Sequence, residues 1–322
     1  MRFRRFAWGV LGVNLFVILW GAFVRASGSG AGCGRHWPLC NGVVLPSRPA
    51  TGTLIELTHR ISSGLALVLV VVLLWWSWRA FPRGHRVRRA AAWAFGLICL
   101  EAGVGAGLVR LGLVADNAST ARAVYLAGHL LNTFLLLGSL ALTAHWAAHN
   151  PPLKPQPHDP APWLLAAGLG LLLLVGMSGA VTALGDTLFP SPSLGEGFRA
   201  DASSTAHWLI RLRVLHPAIA VLAGLYLGLM TWLVGRTRRS ARESVWGRAV
   251  LLLVVAQLGL GTGNLLLLAP TALQLAHLLV ADLLWIAVVI FAATALAAAP
   301  LRNEPAVERE VRALAPLPAR ER

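Results

Sequence analysis

The stretch LIELTHRISSGLALVLVVVLLWWSWR, residues 54–79, places an acid and a histidine at the start of an apolar run. A transmembrane helix needs about 20 predominantly apolar residues, and this run is long enough. Glu56 stands three residues before His59, so the two share one helix face. An ionisable side chain inside hydrocarbon is costly unless it is paired or bound. A lone histidine of this kind is more often a packing residue than a ligand, so the rest of the chain decides.

The composition extends this pattern to the whole chain. It has 322 residues, 57% hydrophobic and 13% charged, whereas ordinary soluble domains carry about a quarter charged residues. We therefore predict an all-α integral membrane protein. Its eight transmembrane helices are expected at residues 6–26, 54–79, 89–112, 122–146, 162–185, 207–235, 246–269 and 271–299.

The net charge of +15 comes from arginines that crowd short loops between apolar runs, not one amphipathic face. This favours a topology signal over nucleic-acid binding, and we predict no nucleic-acid partner. Because Lys and Arg are retained on the cytoplasmic side, both termini are predicted to be cytoplasmic, in the inner (plasma) membrane of the cell. Residues 301–322 are predicted to be a disordered cytoplasmic tail, and the Pro-rich residues 150–157 a linker.

The second half of the chain repeats the first. EAGVGAG at 101–107 matches QLGLGTG at 257–263, and Gly21-Ala22 falls near Gly179-Ala180. Each unit contains an even number of spans, so the repeats are parallel and related by an axis along the membrane normal. We expect two four-helix bundles, residues 1–150 and residues 151–300, related by a pseudo-twofold axis.

Four histidines recur at matched places in these units, namely His59, His129, His216 and His277. Their helices all begin at the outer face, so the four imidazoles are expected at similar depth in the outer half of the membrane. Within each bundle the two histidines come from helices that can face one another, which is the geometry that clamps a flat macrocycle from both faces. The pattern predicts two haem sites, one in each half.

Glu56 makes the two halves chemically unequal, because the second copy has Arg213 at the matching place. A carboxylate beside a ring ligand can relay protons, stabilise a developing cation or orient an attacking group. The first half is therefore expected to carry the chemistry. The alternative is that Glu56 is an interfacial first-turn residue favoured by the helix dipole.

Cys33 and Cys40 lie in the loop between the first two helices, on the outer side, where disulfides persist. A structural bridge and a redox or haem-handling role both remain open for this pair. Several arginines near the outer rim are candidates to fork onto haem propionates, although topology or lipid contact explains each one about as well. They are Arg25, Arg60, Arg211 and Arg213.

The segment GAFVRASGSGAGCGRHWPLCNG, residues 21–42, followed by ELTHR, residues 56–60, resembles the haem A synthase family. The resemblance covers essentially all eight spans. It implies an enzyme that oxidises the C8 methyl group of haem o to the formyl group of haem a, the cofactor of terminal oxidases. The implied partners are haem O synthase, terminal oxidase assembly factors, membrane lipid and an electron donor such as ferredoxin.

The resemblance also implies roles for the candidate residues. His59 and His129 would bind the substrate haem, His216 and His277 would ligate the iron of a resident haem b, and Glu56 matches the essential acid of the family. The cysteine pair matches an outer-loop disulfide proposed to help in haem handling. This chain departs from the family where Pro217 follows the third histidine, and where residues 186–206 lack a second cysteine pair.

A bis-histidine haem electron carrier of the membrane is the main alternative function. It predicts two equivalent haems and gives Glu56 no special task. A disulfide-generating protein would need a second redox pair besides Cys33 and Cys40. A transporter built from parallel repeats would leave the histidine register unexplained.

Overall fold

A computed structural model describes residues 1–148, 159–237 and 241–297. Within these ranges the regular secondary structure is helical, and the loops contain an isolated bridge between Cys40 and Val43. Eight helices are long and apolar enough to cross a membrane. The prediction of an all-α chain with eight such spans is confirmed. The linker predicted at 150–157 and the tail predicted at 301–322 lie outside the described residues.

The helices are numbered in chain order. Seven of the membrane-length spans are single helices, and α7 together with α8 forms the remaining one. The bounds are α1 Arg2–Ala26, α2 Thr51–Ala80, α3 Arg86–Arg110, α4 Thr120–Trp146, α5 Ala161–Leu188, α6 Leu194–Ala202, α7 Trp208–Leu212, α8 Leu215–Thr237, α9 Ala241–Leu266 and α10 Thr271–Ala295.

The span predicted at 207–235 is confirmed as Trp208–Arg236, but its helix is broken between Leu212 and Leu215. Pro217 explains the break. It has no N–H to donate to the carbonyl of Arg213, four residues earlier, and its ring crowds that carbonyl. The loop predicted between the fifth and sixth spans also contains the short helix α6, which hydropathy did not reveal.

The order of helix contacts is the same in the two halves. In the first half, α1 packs on α2 and α4, and α3 packs on the same two helices. In the second half, α5 packs on α8 and α10, and α9 packs on the same two. Between the halves, α4 packs on α5 and α10, and α1 packs on α10.

Helices α4 and α10 form the centre of the molecule. Of their most apolar windows 56% and 61% are buried, against 33% or less in the other spans. The ring of Phe134 in α4 stacks on Trp285 in α10 with centroids 5.4 Å apart, and the indole N–H of Trp285 donates to the Phe134 carbonyl. The remaining spans therefore present most of their surface to lipid. The candidate histidines are positioned by helices packed around this centre.

Candidate functional site

Glu56 and Arg60 lie one turn apart on α2 and hold the loop that joins α1 to α2. The carboxylate of Glu56 is buried, with 3% of the residue exposed, and its Oε1 pairs with Arg60 at 2.5 Å. The same guanidinium donates to the carbonyls of His36 at 2.5 Å and Leu39 at 2.7 Å. Since α2 has no acidic residue in its first turn, the interfacial first-turn interpretation of Glu56 does not describe this side chain.

The second oxygen of Glu56 is bonded to the cysteine loop. The backbone N–H of Cys33 donates to Oε2 at 2.8 Å, and Cys33 forms a disulfide with Cys40. Both cysteines are buried. The loop lies directly against the start of α2, since a Cβ added to Gly32 would come within 2.5 Å of the Gly52 carbonyl oxygen. The disulfide loop therefore supplies a donor that fixes the orientation of the Glu56 carboxylate.

The disulfide predicts a simple thiol count. We expect one cysteine per chain, Cys99, to react with a maleimide when the purified protein is denatured without reductant, because Cys99 is the free cysteine. All three should react after reduction. Mass spectrometry of the labelled chain measures the count, and Cys99→Ala should give none before reduction and two after it. Three reactive thiols before reduction would contradict the bridge, whose removal should cost about 2–3 kcal/mol of stability.

His59 on α2 lies directly beside Gly21 on α1. A Cβ added to Gly21 would stand 2.8 Å from the ring carbon Cε1 of His59, so only glycine leaves room for the imidazole there. The Nδ1 atom of His59 is buried and finds no hydrogen-bond partner within the described part of the chain. A buried polar atom without a partner is expensive in a membrane. The unpartnered Nδ1 therefore fits an imidazole that binds a ligand.

His129 on α4 contacts an acid of α3 that the sequence analysis did not connect with it. Its Nδ1 lies 3.0 Å from Oε1 of Glu101 on α3. Glu101 also accepts hydrogen bonds from the Asn132 amide and the Thr133 hydroxyl. This contact leaves Nε2 of His129 as the ring nitrogen available to a metal. One feature of the sequence pointed to this contact. Glu101 matches Gln257 in the repeat, and each lies on the helix that precedes the helix of a candidate histidine.

The second pair of histidines is close enough to share one metal. The rings of His216 and His277 have centroids 6.5 Å apart and are nearly perpendicular, at 88°. Two imidazoles that bind one ion at about 2 Å per bond have ring centres about 6 to 6.5 Å apart. The Nδ1 of His216 lies 3.0 Å from the Ser178 hydroxyl, which leaves its Nε2 for a ligand. The spacing of the two rings therefore fits bis-histidine coordination of a haem iron.

His277 is held by an uncharged partner. The amide nitrogen of Gln257 lies 3.2 Å from Nε2 of His277, and Nδ1 of the same ring is buried without a hydrogen-bond partner among residues 1–148, 159–237 and 241–297. An amide N–H that donates to Nε2 occupies the lone pair that a metal would take. Gln257 must therefore turn aside, or the ring must rotate, when His277 binds iron.

Contacts around the histidines recur in both halves. Each recurrent contact joins matching helices, and in each a glycine or a polar side chain faces an imidazole or the residue one turn before it. The pairs are Gly21–His59 with Gly179–His216, Glu101–His129 with Gln257–His277, and Gly107–Tyr125 with Gly263–Leu273.

Arg25 extends from α1 to the second half of the chain. Its guanidinium donates to the Ala183 carbonyl at 2.7 Å and the Thr187 hydroxyl at 2.5 Å, both on α5. It also donates to the Gln274 side chain at 3.0 Å, three residues before His277 on α10. A propionate held by Arg25 would therefore belong to the second site, although Arg25 precedes the first.

Arg213 lies at the break between α7 and α8 and is held by two acids. It pairs with Asp186 at 3.1 Å and with Asp201 at 2.9 Å. Arg60 is likewise engaged, by Glu56 and the cysteine loop. Contacts of Arg25, Arg60 and Arg213 with haem propionates stay predictions, and each would require some of these partners to be exchanged.

Comparison with known proteins gives matches along most of the chain. The sequence model of the family described as COX15-CtaA, cytochrome oxidase assembly protein, matches residues 4–289. The heme A synthase of Shouchella clausii is 29% identical over 284 residues, which are 85% of this chain and 90% of that protein. The heme A synthase of Geobacillus kaustophilus is 43% identical over 95 residues, 30% of each chain.

A longer relative carries a different name. A protein of Thermus thermophilus named protoheme IX farnesyltransferase is 48% identical over 295 residues, 92% of this chain. The match covers 48% of that protein, so the chain spans about half the length of this relative.

Proposed function

The chain belongs to the haem A synthase family, COX15-CtaA, and on that premise we propose that it oxidises the C8 methyl group of haem o to the formyl group of haem a for terminal oxidase assembly. The observation that carries the proposal is the spacing of His216 and His277, whose rings lie 6.5 Å apart at the place where a resident haem b is expected. The protein is a multi-pass membrane protein, and the proposed reaction makes it an oxidoreductase.

The proposed architecture is two parallel four-helix bundles related by a pseudo-twofold axis along the membrane normal. Residues 1–150 form the substrate haem domain and residues 151–300 the resident haem domain, with 301–322 as a cytoplasmic tail. The common order of helix contacts and the recurrent histidine contacts support the duplication. The basic loops support an inner-membrane location with both termini cytoplasmic.

The two haem sites differ in their tasks. His59 and His129 would bind the substrate haem o, and His216 and His277 would hold haem b. Bound haem supplies the redox chemistry that amino-acid side chains lack, while the protein positions the methyl group and tunes the iron. Gly21, with its bare Cα against His59, lets the helices close around the first ring.

Glu56 is the proposed catalytic residue of the first site. It is buried one turn from His59, and the partners described for its carboxylate, Arg60 and the Cys33 N–H, are hydrogen-bond donors. A carboxylate in this setting can accept a proton released from the oxidised carbon or hold an attacking oxygen in place. The cysteine loop covers this residue and holds its carboxylate in place through the Cys33 N–H.

The electron-carrier alternative predicts two equivalent haem sites. The residues beside the histidines are not equivalent, since Glu56 is matched by Arg213 and Glu101 by Gln257. This difference favours the synthase. The name of the Thermus relative is that of a farnesyltransferase acting on protohaem, and we propose that a haem O synthase acts beside this chain, with ferredoxin as a candidate electron donor.

Extraction of the haems tests the proposal. The full chain is produced in a host that makes haem o but no haem a, purified, and extracted with acidified acetone for chromatography. A synthase yields haem b together with haem o or haem a, and the host membranes gain haem a. Haem b alone, with no haem a in the membranes, would identify the chain as an electron carrier.

A further inference from the structure

Glu101 is a membrane-embedded acid surrounded by donors from α4. The imidazole of His129, the amide of Asn132 and the hydroxyl of Thr133 all face its two carboxylate oxygens. The Asn132 amide nitrogen also donates to the Leu97 carbonyl at 2.9 Å, which fixes the amide with its N–H groups toward α3. Three donors around two oxygens make a setting built for an anionic acceptor.

The contact between Glu101 and His129 is poised but not fully aligned. Nδ1 lies 3.0 Å from Oε1, an ion-pair distance, while the N–H direction does not satisfy hydrogen-bond geometry. A small rotation of the ring would align the two. Catalytic and ligand contacts are commonly loose in the absence of the bound group and tighten when it arrives.

The second half has a neutral group at the matching position. Gln257 contacts His277 through its amide nitrogen, at 3.2 Å. The two contacts join matching helices, but they reach different ring nitrogens, Nδ1 of His129 and Nε2 of His277, and their partners differ by a full charge. The residue that faces the histidine occupies a matching position in both halves, but it is an acid in the first half and an amide in the second. This difference distinguishes the two sites.

We propose that Glu101 is a positioning residue that accepts the Nδ1 proton of His129 and makes this imidazole a more electron-donating ligand than His277. The inference rests on the proposed function and names what distinguishes the substrate site from the resident site. It assigns Glu101 no contact with the haem itself. The residue acts through His129.

The physical basis is the second interaction of a metal-bound histidine. A carboxylate that accepts the free N–H of a ligating imidazole orients the ring and raises its basicity. A more basic ligand stabilises ferric over ferrous iron, because the ferric ion carries the larger positive charge. Hydrogen bonding around axial ligands is one of the means by which proteins set haem potentials. The neutral Gln257 provides no such charge, so the first site is expected to have the lower reduction potential.

Redox titration of the full chain tests the proposal. The protein is purified with its resident haem, loaded at the first site with iron-protoporphyrin IX, and followed by optical and EPR spectroscopy. Glu101→Gln should favour ferrous iron at the first site by about tenfold, which raises its midpoint potential by about 59 mV for one electron. The low-spin ferric EPR signal of that site should shift, while the second site should keep its potential.

Two further variants supply a graded test and the control. Glu101→Asp keeps the charge but shortens the side chain by one methylene, which draws the carboxylate away from Nδ1 of His129, so it should raise the first-site potential by less than Glu101→Gln does. Asp282→Asn removes a fully buried acid on α10 whose oxygens have no hydrogen-bond partner in the described ranges, and it should leave the first-site potential unchanged.

Three results would overturn the proposal. The first is an unchanged first-site potential in Glu101→Gln with both haems bound. The second is a shift of equal size in Asp282→Asn, which would indicate a general field and not a contact with His129. If Glu101→Gln does not retain the first haem, an unchanged first-site potential in Glu101→Asp overturns it. Failure of the synthase function itself appears separately, as the absence of haem a from host membranes.

Discussion

Conversion of haem o to haem a should fall by at least about 100-fold in Glu56→Gln, while the resident haem b remains bound. General acid-base catalysis by a positioned side chain contributes about 100- to 10,000-fold, and an amide cannot take up a proton as a carboxylate does. The amide keeps the shape of the side chain and can still accept from the Cys33 N–H, so the cysteine loop should stay in place. Chromatography of extracted haems measures both quantities in one sample.

The control for this variant is Glu196→Gln. Glu196 is an exposed acid on α6, so the same chemical change there should leave conversion unaltered. Conversion above about a tenth of the wild-type level in Glu56→Gln would contradict a catalytic role. Loss of haem b together with conversion would show instead that the charge of Glu56 is needed to hold Arg60 and the outer end of α2.

Hydropathy predicted the spans because a membrane helix must satisfy its backbone internally and face lipid with apolar side chains. The duplication then placed the four histidines on corresponding helices. The contacts of Gly21 with His59 and of Gly179 with His216 repeat that correspondence in three dimensions. The sequence repeat therefore indicated which residues share a site, because it depends only on the spacing of residues along each helix.

The contact partners of long side chains could not be predicted from this spacing. Arg25 is bonded to residues more than 150 positions later, because α1 packs against the second half, and no periodicity reports that packing. The contact of Glu101 with His129 depends on how α3 and α4 are rotated against each other. The break before α8 could have been predicted from the sequence, since Pro217 lacks the N–H that a continuous helix requires.

Replacing His216 by alanine should remove the resident haem b. Loss of a partner that only orients a metal ligand costs about 10- to 100-fold in affinity, so loss of the ligand itself should cost at least as much. The groups described beside the His216 ring are the Ser178 hydroxyl and Gly179, and neither carries an imidazole that could replace it. The haem b content per chain, measured as the pyridine haemochrome, should fall at least about tenfold, while haem o or a extracted from the first site should persist.

His207→Asn is the matched control for this variant. His207 caps α7, where its ring accepts a hydrogen bond from the Leu209 N–H, and asparagine can make the same cap. Haem b content should therefore be unchanged. Full haem b retention in His216→Ala would mean that the ligand comes from elsewhere in the second half. The 6.5 Å spacing of His216 and His277 would then be a packing contact, and the assignment of a resident haem to this pair would fail.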